Sequence, residues 1–104
     1  MERGELLRRV KSTLQETYGP RLRGVILYGS EARGTAEPDS DIDLLVLLEG
    51  PVDSWEDSGR SIHALYPLVL EIDRPIHTIE VDADTYQTDD LPLYREVRCE
   101  GIPA

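Results

Sequence analysis

Several residue types are scarce in this 104-residue sequence, and each scarcity excludes a class of protein. The single cysteine, Cys99, excludes an internal disulfide and a metal site built from several cysteines, which predicts a reducing, cytoplasmic location. No apolar run approaches the roughly 20 residues that span a bilayer. The charged, helix-periodic N-terminal segment is not typical of a signal peptide. We therefore expect no membrane association.

Basic side chains are also few. Eleven lysines and arginines accompany 21 aspartates and glutamates, so the formal net charge is −10. A chain this acidic is repelled by a phosphate backbone unless its basic residues cluster, and here they do not. Nucleic acid binding is therefore not expected, whereas a basic protein partner, or a nucleotide accompanied by a divalent cation, is compatible with this charge. The length predicts one domain over residues 1–104.

The first half of the chain predicts one helix followed by two strands. Residues 2–18 place leucines and a valine at helical spacing, with charged residues between them. Val25–Tyr28 is a short apolar run that predicts a strand. Residues 41–48 (DIDLLVLL) are nearly continuously apolar after their two acids, which is typical of a central strand buried on both faces.

A second helix is predicted after the central strand. Ser54, with Asp57 three residues later, resembles a capping box for a helix from Trp55 to about Tyr66. Its apolar residues are expected to contact the sheet; they are Trp55, Ile62, Leu65 and Tyr66.

The remaining segments complete the fold prediction. Residues 68–72 fit either a strand or the end of the preceding helix. Residues 76–81 (IHTIEV) are rich in β-branched residues and predict a strand. Asp90 is expected to cap a last helix, with Pro92 in its first turn. This order predicts an α/β (α+β) fold in which helices flank a small mixed β-sheet.

Two aspartates stand at the head of the predicted central strand. Asp41 and Asp43 are two residues apart, so their side chains leave the same face of the strand. Neighbouring carboxylates repel each other, and a divalent cation removes that conflict. Mg²⁺ usually takes one or two carboxylates together with water and substrate phosphate. The alternative is that both acids simply lie at a solvated strand end.

Ten residues separate Gly29-Ser30 from Asp41. Glycine lets the backbone approach a ligand closely, and the amides at the start of a short helix predicted over Glu31–Arg33 form an anion-binding corner. The Ser30 hydroxyl could donate to a phosphate oxygen; the alternative is that it only caps this helix. Together the two elements indicate a site in which Gly-Ser holds phosphates while the aspartates hold a metal ion against them.

Arg33 is a further candidate for nucleotide binding. It lies one turn beyond Ser30, within reach of a phosphate or a metal-bound acid. It could equally pair with Glu37 or Asp39, and both interpretations stay open.

Gly29-Ser30, the ten-residue spacer and Asp41-Ile42-Asp43 resemble the signature of the nucleotidyltransferase superfamily that includes DNA polymerase beta and kanamycin nucleotidyltransferase. The fuller string YGSEARGTAEPDSDIDLLV is similar to the minimal nucleotidyltransferase (MNT) branch, whose members are about this size. Downstream, RPIHTIEVDADTYQTDDLPLYREVRCEGIPA also resembles that branch. The resemblance implies the polymerase beta palm-like nucleotidyltransferase fold.

The resemblance also implies an activity: metal-dependent transfer of AMP from ATP to a hydroxyl group, with release of pyrophosphate. Gly29 and Ser30 match the residues that hold the triphosphate, and Asp41 and Asp43 match the catalytic acids that bind metal. Two Mg²⁺ ions, roughly 3.5–4 Å apart, would stabilise the attacking and leaving oxygens together. The protein then contributes mainly positioning and charge neutralisation.

The family uses a third carboxylate on a later strand, and here this sequence departs from the pattern. The early position of residues 76–81 holds His77. Glu80 is the only acid inside the strand, and Asp82 lies at its far end. We predict Glu80 as the base, although alternation places it on the opposite face from His77. The alternatives are that Asp82 serves, or that no third acid reaches the site and Glu80 is a solvated strand carboxylate.

No part of the sequence is an evident second domain for an acceptor, so a second copy of the chain or another protein is expected to complete the site. By resemblance, MntA-type members pair as antitoxins with a HEPN-domain protein, a helical ribonuclease toxin, and attach AMP to one of its tyrosines. One alternative is a weak or inactive binding module that neutralises a HEPN partner by complex formation. Transfer to a small molecule of the aminoglycoside type is a third hypothesis.

Overall fold

The computed structural model describes all 104 residues as a four-stranded mixed sheet with helices on both faces. The helices are α1 (Arg3–Tyr18), α2 (Ser30–Arg33), α3 (Ser54–Ile72), α4 (Ala83–Thr88) and α5 (Pro92–Glu100). The strands are β1 (Leu22–Tyr28), β2 (Ile42–Leu48), β3 (Ile76–Asp82) and β4 (Ile102–Pro103). The predicted α+β class, with helices around a small mixed sheet, is confirmed. None of the helices combines the length and the apolar character that crossing a bilayer requires.

The sheet has the order β3-β2-β1-β4, with β2 at its centre. β2 runs antiparallel to β1 and parallel to β3, which it reaches through α3. The two registers pair Asp43 with Tyr28 on one side and with His77 on the other. The prediction of a central strand is confirmed, because the apolar residues of β2 are buried on both faces of the sheet.

The larger core lies between the sheet and the helices α1 and α3. α1 contributes one face to it, at helical spacing: Leu6, Leu7, Val10, Leu14 and Tyr18. α1 ends where Gly19 adopts a positive φ of 58° before Pro20. Leu14 is fully buried, so its truncation to alanine should cost about 2–5 kcal/mol of unfolding free energy.

The smaller core lies on the opposite face, under α4 and α5. Five buried residues form it: Tyr28, Leu45, Val81, Tyr94 and Val97. Because alternate residues of a strand leave opposite faces, Asp43 lies on the same face as Leu45. The candidate site therefore belongs to the side of the sheet with the smaller core.

The buried face of α3 differs from the prediction. α3 buries Asp57, Ser61, Leu65 and Leu68, whereas Trp55 is 90% exposed and Ile62 and Tyr66 are more than half exposed. Of the four residues expected to contact the sheet, only Leu65 is buried. The polar residues are buried because each finds a partner: Arg21 donates to both carboxylate oxygens of Asp57, and Tyr18 Oη lies 2.6 Å from Ser61 Oγ.

The ends of the helices also differ in detail. Asp53, not Ser54, caps α3, because its side chain accepts from the Glu56 amide. α3 continues to Ile72, which settles residues 68–72 as helix. α5 begins at Pro92 after Leu91, and Asp90 does not cap it. The short elements α4 and β4 were not predicted.

Candidate active site

Gly29 and Asp43 are in direct contact at the end of the β1–β2 pair. Gly29 follows β1 with a positive φ of 76°, and a Cβ atom on this residue would lie only 2.6 Å from Asp43 Oδ2. The missing side chain therefore lets the Asp43 carboxylate lie against the backbone that leads into α2. This contact brings the Gly-Ser motif and the aspartate motif together.

His77 joins the two aspartates from the neighbouring strand. The parallel register places His77 beside Asp43, and His77 Nε2 lies 3.4 Å from Asp41 Oδ2. The side chains of Asp41 and His77 are 50% and 62% exposed, so both are open to a ligand. Asp41, Asp43 and His77 thus lie together where β2 and β3 begin.

The Asp43 carboxyl is the electrostatically perturbed group of this site. Burial raises its pKa, and the neighbouring Asp41 and Glu96 carboxylates act in the same direction. The positive charges of His77, when protonated, and of Arg33 oppose that rise in pKa. A cation between the two aspartates would relieve both the burial cost and the repulsion.

Arg33 points towards α5 and not towards the acids considered in the sequence. Its Nη1 atom lies 3.0 Å from Glu100 Oε2 and 3.5 Å from Glu96 Oε1, so the alternative pairing with Glu37 or Asp39 is wrong. Glu96 and Glu100 were missed by the sequence interpretation. Their four-residue spacing puts them on one face of α5, but only the folded chain shows that Glu96 is close enough to raise the pKa of Asp43.

The sequence profile of the nucleotidyltransferase domain family matches residues 7–97, which is most of the chain. The chain belongs to this family. It is a nucleotidyltransferase by family, and the contact between its Gly-Ser and aspartate motifs lies inside the matched segment. No curated protein sequence matches the nucleotidyltransferase significantly.

Solved structures share the fold at low sequence identity. A toxin–antitoxin complex solved with AMP-PNP is 22% identical over 91% of this chain and 69% of that one, with a TM-score of 0.62. A tri-AMPylated Shewanella oneidensis HEPN toxin in complex with an MNT antitoxin gives 19% identity, 98% and 71% coverage, and a TM-score of 0.60. A spectinomycin adenyltransferase from Enterococcus faecialis, solved with ATP and spectinomycin, is 21% identical over 88% of this chain and 38% of that one, with a TM-score of 0.59.

The donor set of this nucleotidyltransferase fits one hard divalent cation. Asp41 and Asp43 offer carboxylate oxygens, and Gly29 leaves open the space that a Cβ would take beside Asp43. The structure assembles no group of three or more histidine, cysteine, aspartate or glutamate side chains that could hold a metal ion. An ion held by Asp41 and Asp43 would therefore need phosphate oxygens or water to complete its coordination.

Glu80 does not reach the aspartates of the nucleotidyltransferase, so its prediction as the base is wrong. It pairs with Val46, three residues beyond Asp43, and lies on the face that carries the larger core. Its Oε2 atom is buried there with no hydrogen-bond partner. Asp82 is also excluded as the third acid, because it lies at the far end of β3 and caps α4 by accepting from the amides of Asp84 and Thr85.

Ser30 is the first residue of α2, and Gly29 occupies the capping position. The alternative in which Ser30 serves only as a helix cap is therefore wrong. The Ser30 hydroxyl does not cap this helix, and its role in holding a phosphate stays a prediction.

Proposed function

We propose that this minimal nucleotidyltransferase domain, spanning residues 1–104, transfers AMP from ATP to a hydroxyl group in a Mg²⁺-dependent reaction. Gly29 and Ser30 hold the triphosphate, and Asp41 and Asp43 hold the cation. The observation that carries the proposal is the contact between Gly29 and Asp43, since it unites a loop suited to phosphate with a carboxylate suited to metal. Structural neighbours solved with AMP-PNP and with ATP support the choice of nucleotide.

The reaction is an in-line transfer of the adenylyl group, AMP, to the acceptor. The acceptor oxygen forms a bond to the α-phosphorus of ATP, the bond from that phosphorus to the bridging oxygen breaks, and pyrophosphate leaves. The acceptor hydroxyl loses its proton in the same reaction. A bound Mg²⁺ would neutralise charge on the phosphates. We propose one ion between the two aspartates, in place of the two implied by resemblance, because no third donor joins them.

For the acceptor, we propose a tyrosine of a HEPN-type protein. An apolar groove of about 360 Å³ runs between α3 and β3, and its lining includes Ile62, Tyr66 and His77. The groove lies on the α3 face of the sheet, so a partner seated there would reach the aspartates around the edge of β3, past His77, which contacts Asp41. The net charge of −10 suits a basic partner, and one structural neighbour is a complex with an AMPylated HEPN toxin. Self-association and a cytoplasmic location stay predictions.

One observation favours a second candidate function, in which the chain neutralises its partner by binding alone. His77 takes the position beside Asp43, and Glu80 lies on the other face of the sheet, so β3 supplies no third carboxylate beside the aspartates to act as a base. A small-molecule acceptor of the aminoglycoside type receives less support, because the chain matches only 38% of the spectinomycin adenyltransferase.

Titration calorimetry with ATP, in the presence and absence of Mg²⁺, tests the nucleotide site. Mg²⁺-dependent binding is expected, and the Asp41→Asn/Asp43→Asn variant should lose it. Label transfer then tests the reaction, using a HEPN protein from the organism that encodes this chain. Label from α-phosphate-labelled ATP should appear on that protein, and label from γ-phosphate-labelled ATP should not. Nucleotide binding without label transfer would favour neutralisation by binding, and no nucleotide binding would refute the proposal.

A further inference from the structure

Arg74, in the turn between α3 and β3, makes two hydrogen bonds to different parts of the candidate site. Its Nε donates to the Ser40 carbonyl at 3.0 Å, and its Nη2 donates to Glu31 Oε2 at 2.9 Å. The side chains of Arg74 and Glu31 are only 16% and 18% exposed, so this ion pair is largely shielded from water. Arg74 thus forms a largely shielded bridge and not a mobile surface pair.

The two acceptors of Arg74 belong to the two motifs of the site. Glu31 directly follows Ser30 in α2, and Ser40 directly precedes Asp41. The next residue, Pro75, accepts a hydrogen bond from the Ile42 amide at 2.9 Å. One guanidinium, reinforced by one backbone contact, therefore joins the phosphate-binding segment to the segment that carries the aspartates.

The segment between α2 and β2 has few other ties. Within residues 35–41, Ser40 bonds back to Glu37 through its amide and its hydroxyl, and these contacts are internal to the loop. Thr35 bonds only to the nearby Ser30 carbonyl. From outside the loop, His77 contacts the Asp41 side chain at 3.4 Å, and Arg74 holds the Ser40 carbonyl directly before Asp41. The backbone that leads into Asp41 is therefore positioned through Arg74.

We propose that Arg74 is a positioning residue that fixes the distance between the triphosphate-binding loop and the aspartates. The inference rests on the proposed function of that site. The planar guanidinium donates in two directions at once, which a lysine ammonium at this position cannot reproduce with the same geometry. Because phosphoryl transfer depends on placement, a small shift of Asp41 relative to Ser30 should weaken nucleotide binding strongly.

Calorimetry of Mg²⁺–ATP binding to Arg74→Ala and Arg74→Lys tests this proposal, at a temperature well below each variant's midpoint of unfolding. Both variants should bind at least tenfold more weakly than the parent chain. The matched control is Arg21→Ala, which removes the buried ion pair with Asp57 away from the site. Arg21→Ala should lower the unfolding temperature at least as much, yet keep Mg²⁺–ATP affinity within about twofold of the parent.

Glu31→Gln completes a double-mutant cycle. Glu31→Gln alone should weaken binding, and it should add little in the Arg74→Ala background, because the same bridge is already broken. Parent-like affinity in Arg74→Ala, or an equal loss in Arg21→Ala, would overturn the proposal.

Failure of the proposed function would show as no Mg²⁺–ATP binding by the parent chain. Amide hydrogen exchange then tests Arg74 independently. Faster exchange across residues 35–41 in Arg74→Ala, but not in Arg21→Ala, would support the bridge. Equal exchange in the two variants would overturn it.

Discussion

Replacing Gly29 by alanine tests the contact on which the candidate site depends. Gly29 has φ 76° and ψ −155°, a backbone region that residues with a Cβ rarely adopt. The new Cβ would also lie 2.6 Å from Asp43 Oδ2, so the carboxylate must move. We expect Gly29→Ala to lower the free energy of unfolding and to abolish nucleotide binding.

The expected decrease in the free energy of unfolding has two parts. Forcing alanine into this backbone region costs about 1–3 kcal/mol. Displacing the Asp43 side chain from its rotamer adds about 0.5–1.5 kcal/mol, so the sum is about 1.5–4.5 kcal/mol. In a domain of this size each kcal/mol lowers the unfolding temperature by about 4–8 °C. The variant should therefore melt at least about 6 °C below the parent and still fold.

Far-ultraviolet circular dichroism during urea and thermal unfolding gives the stability, since Trp55 is 90% exposed and would be a poor fluorescence probe of the core. Gly34→Ala is the matched control. Gly34 has φ 78°, but a Cβ there would meet no atom within 4 Å. Gly34→Ala should lose about 1–2 kcal/mol of stability and should keep Mg²⁺–ATP binding.

The same substitution in an Asp43→Ala background separates the two parts of the loss. Removing the carboxylate removes the collision, so Gly29→Ala should cost less stability in this background than in the parent chain. If the cost is equal in both backgrounds, the contact with Asp43 does not constrain residue 29. A steric requirement for glycine beside the carboxylate would then be refuted.

Three further predictions follow from the site and the core. Asp43→Asn should stabilise the protein at pH 7. Folding raises the pKa of Asp43, so the native state binds more protons than the unfolded state. The ionised carboxylate therefore lowers the free energy of unfolding as the pH rises through the folded pKa. Urea unfolding from pH 4 to 8 measures this effect, and a variant less stable than the parent at pH 7 would contradict it. His77→Asp places a third carboxylate beside Asp43. If base catalysis is the missing contribution, this variant should raise the rate of Mg²⁺-dependent AMP transfer about tenfold or more. An unchanged rate in the labelling assay would contradict that reasoning. Leu65→Ala should lower the free energy of unfolding by about 2–5 kcal/mol because Leu65 is fully buried. Ile62→Ala should change it by less than about 1 kcal/mol, because Ile62 is more than half exposed. Equal losses on urea unfolding would show that the buried and exposed faces of α3 are assigned wrongly.

The hydrophobic pattern of a segment predicts its structure and burial correctly where residues close in sequence decide both. β2 is nearly all apolar after Asp41, and it is buried on both faces as that composition indicates. α1 follows its helical period up to Gly19. The ten-residue spacing of the two motifs led to the expectation that Gly29 and Asp43 belong to one site, and the antiparallel β1–β2 register places them in contact.

Hydrophobic patterns predict burial wrongly where a partner distant in sequence allows a polar residue to be buried. α3 buries Asp57 and Ser61 because Arg21 and Tyr18 satisfy them, and nothing in the sequence of the helix reveals those partners. The helix is therefore rotated from the orientation that its apolar residues indicate. The prediction of the third acid is wrong for a related reason. Alternation along β3 puts His77 and Glu80 on opposite faces, but only the register with β2 shows which of them lies beside Asp43.

The two cores of the sheet are unequal, with thirteen buried residues on the face away from the site and five on the face that carries it. Most of the folding free energy from apolar burial therefore comes from contacts that catalysis does not use. Substitutions of exposed site residues such as Asp41 and His77 should therefore cost less unfolding free energy than substitutions in the larger core.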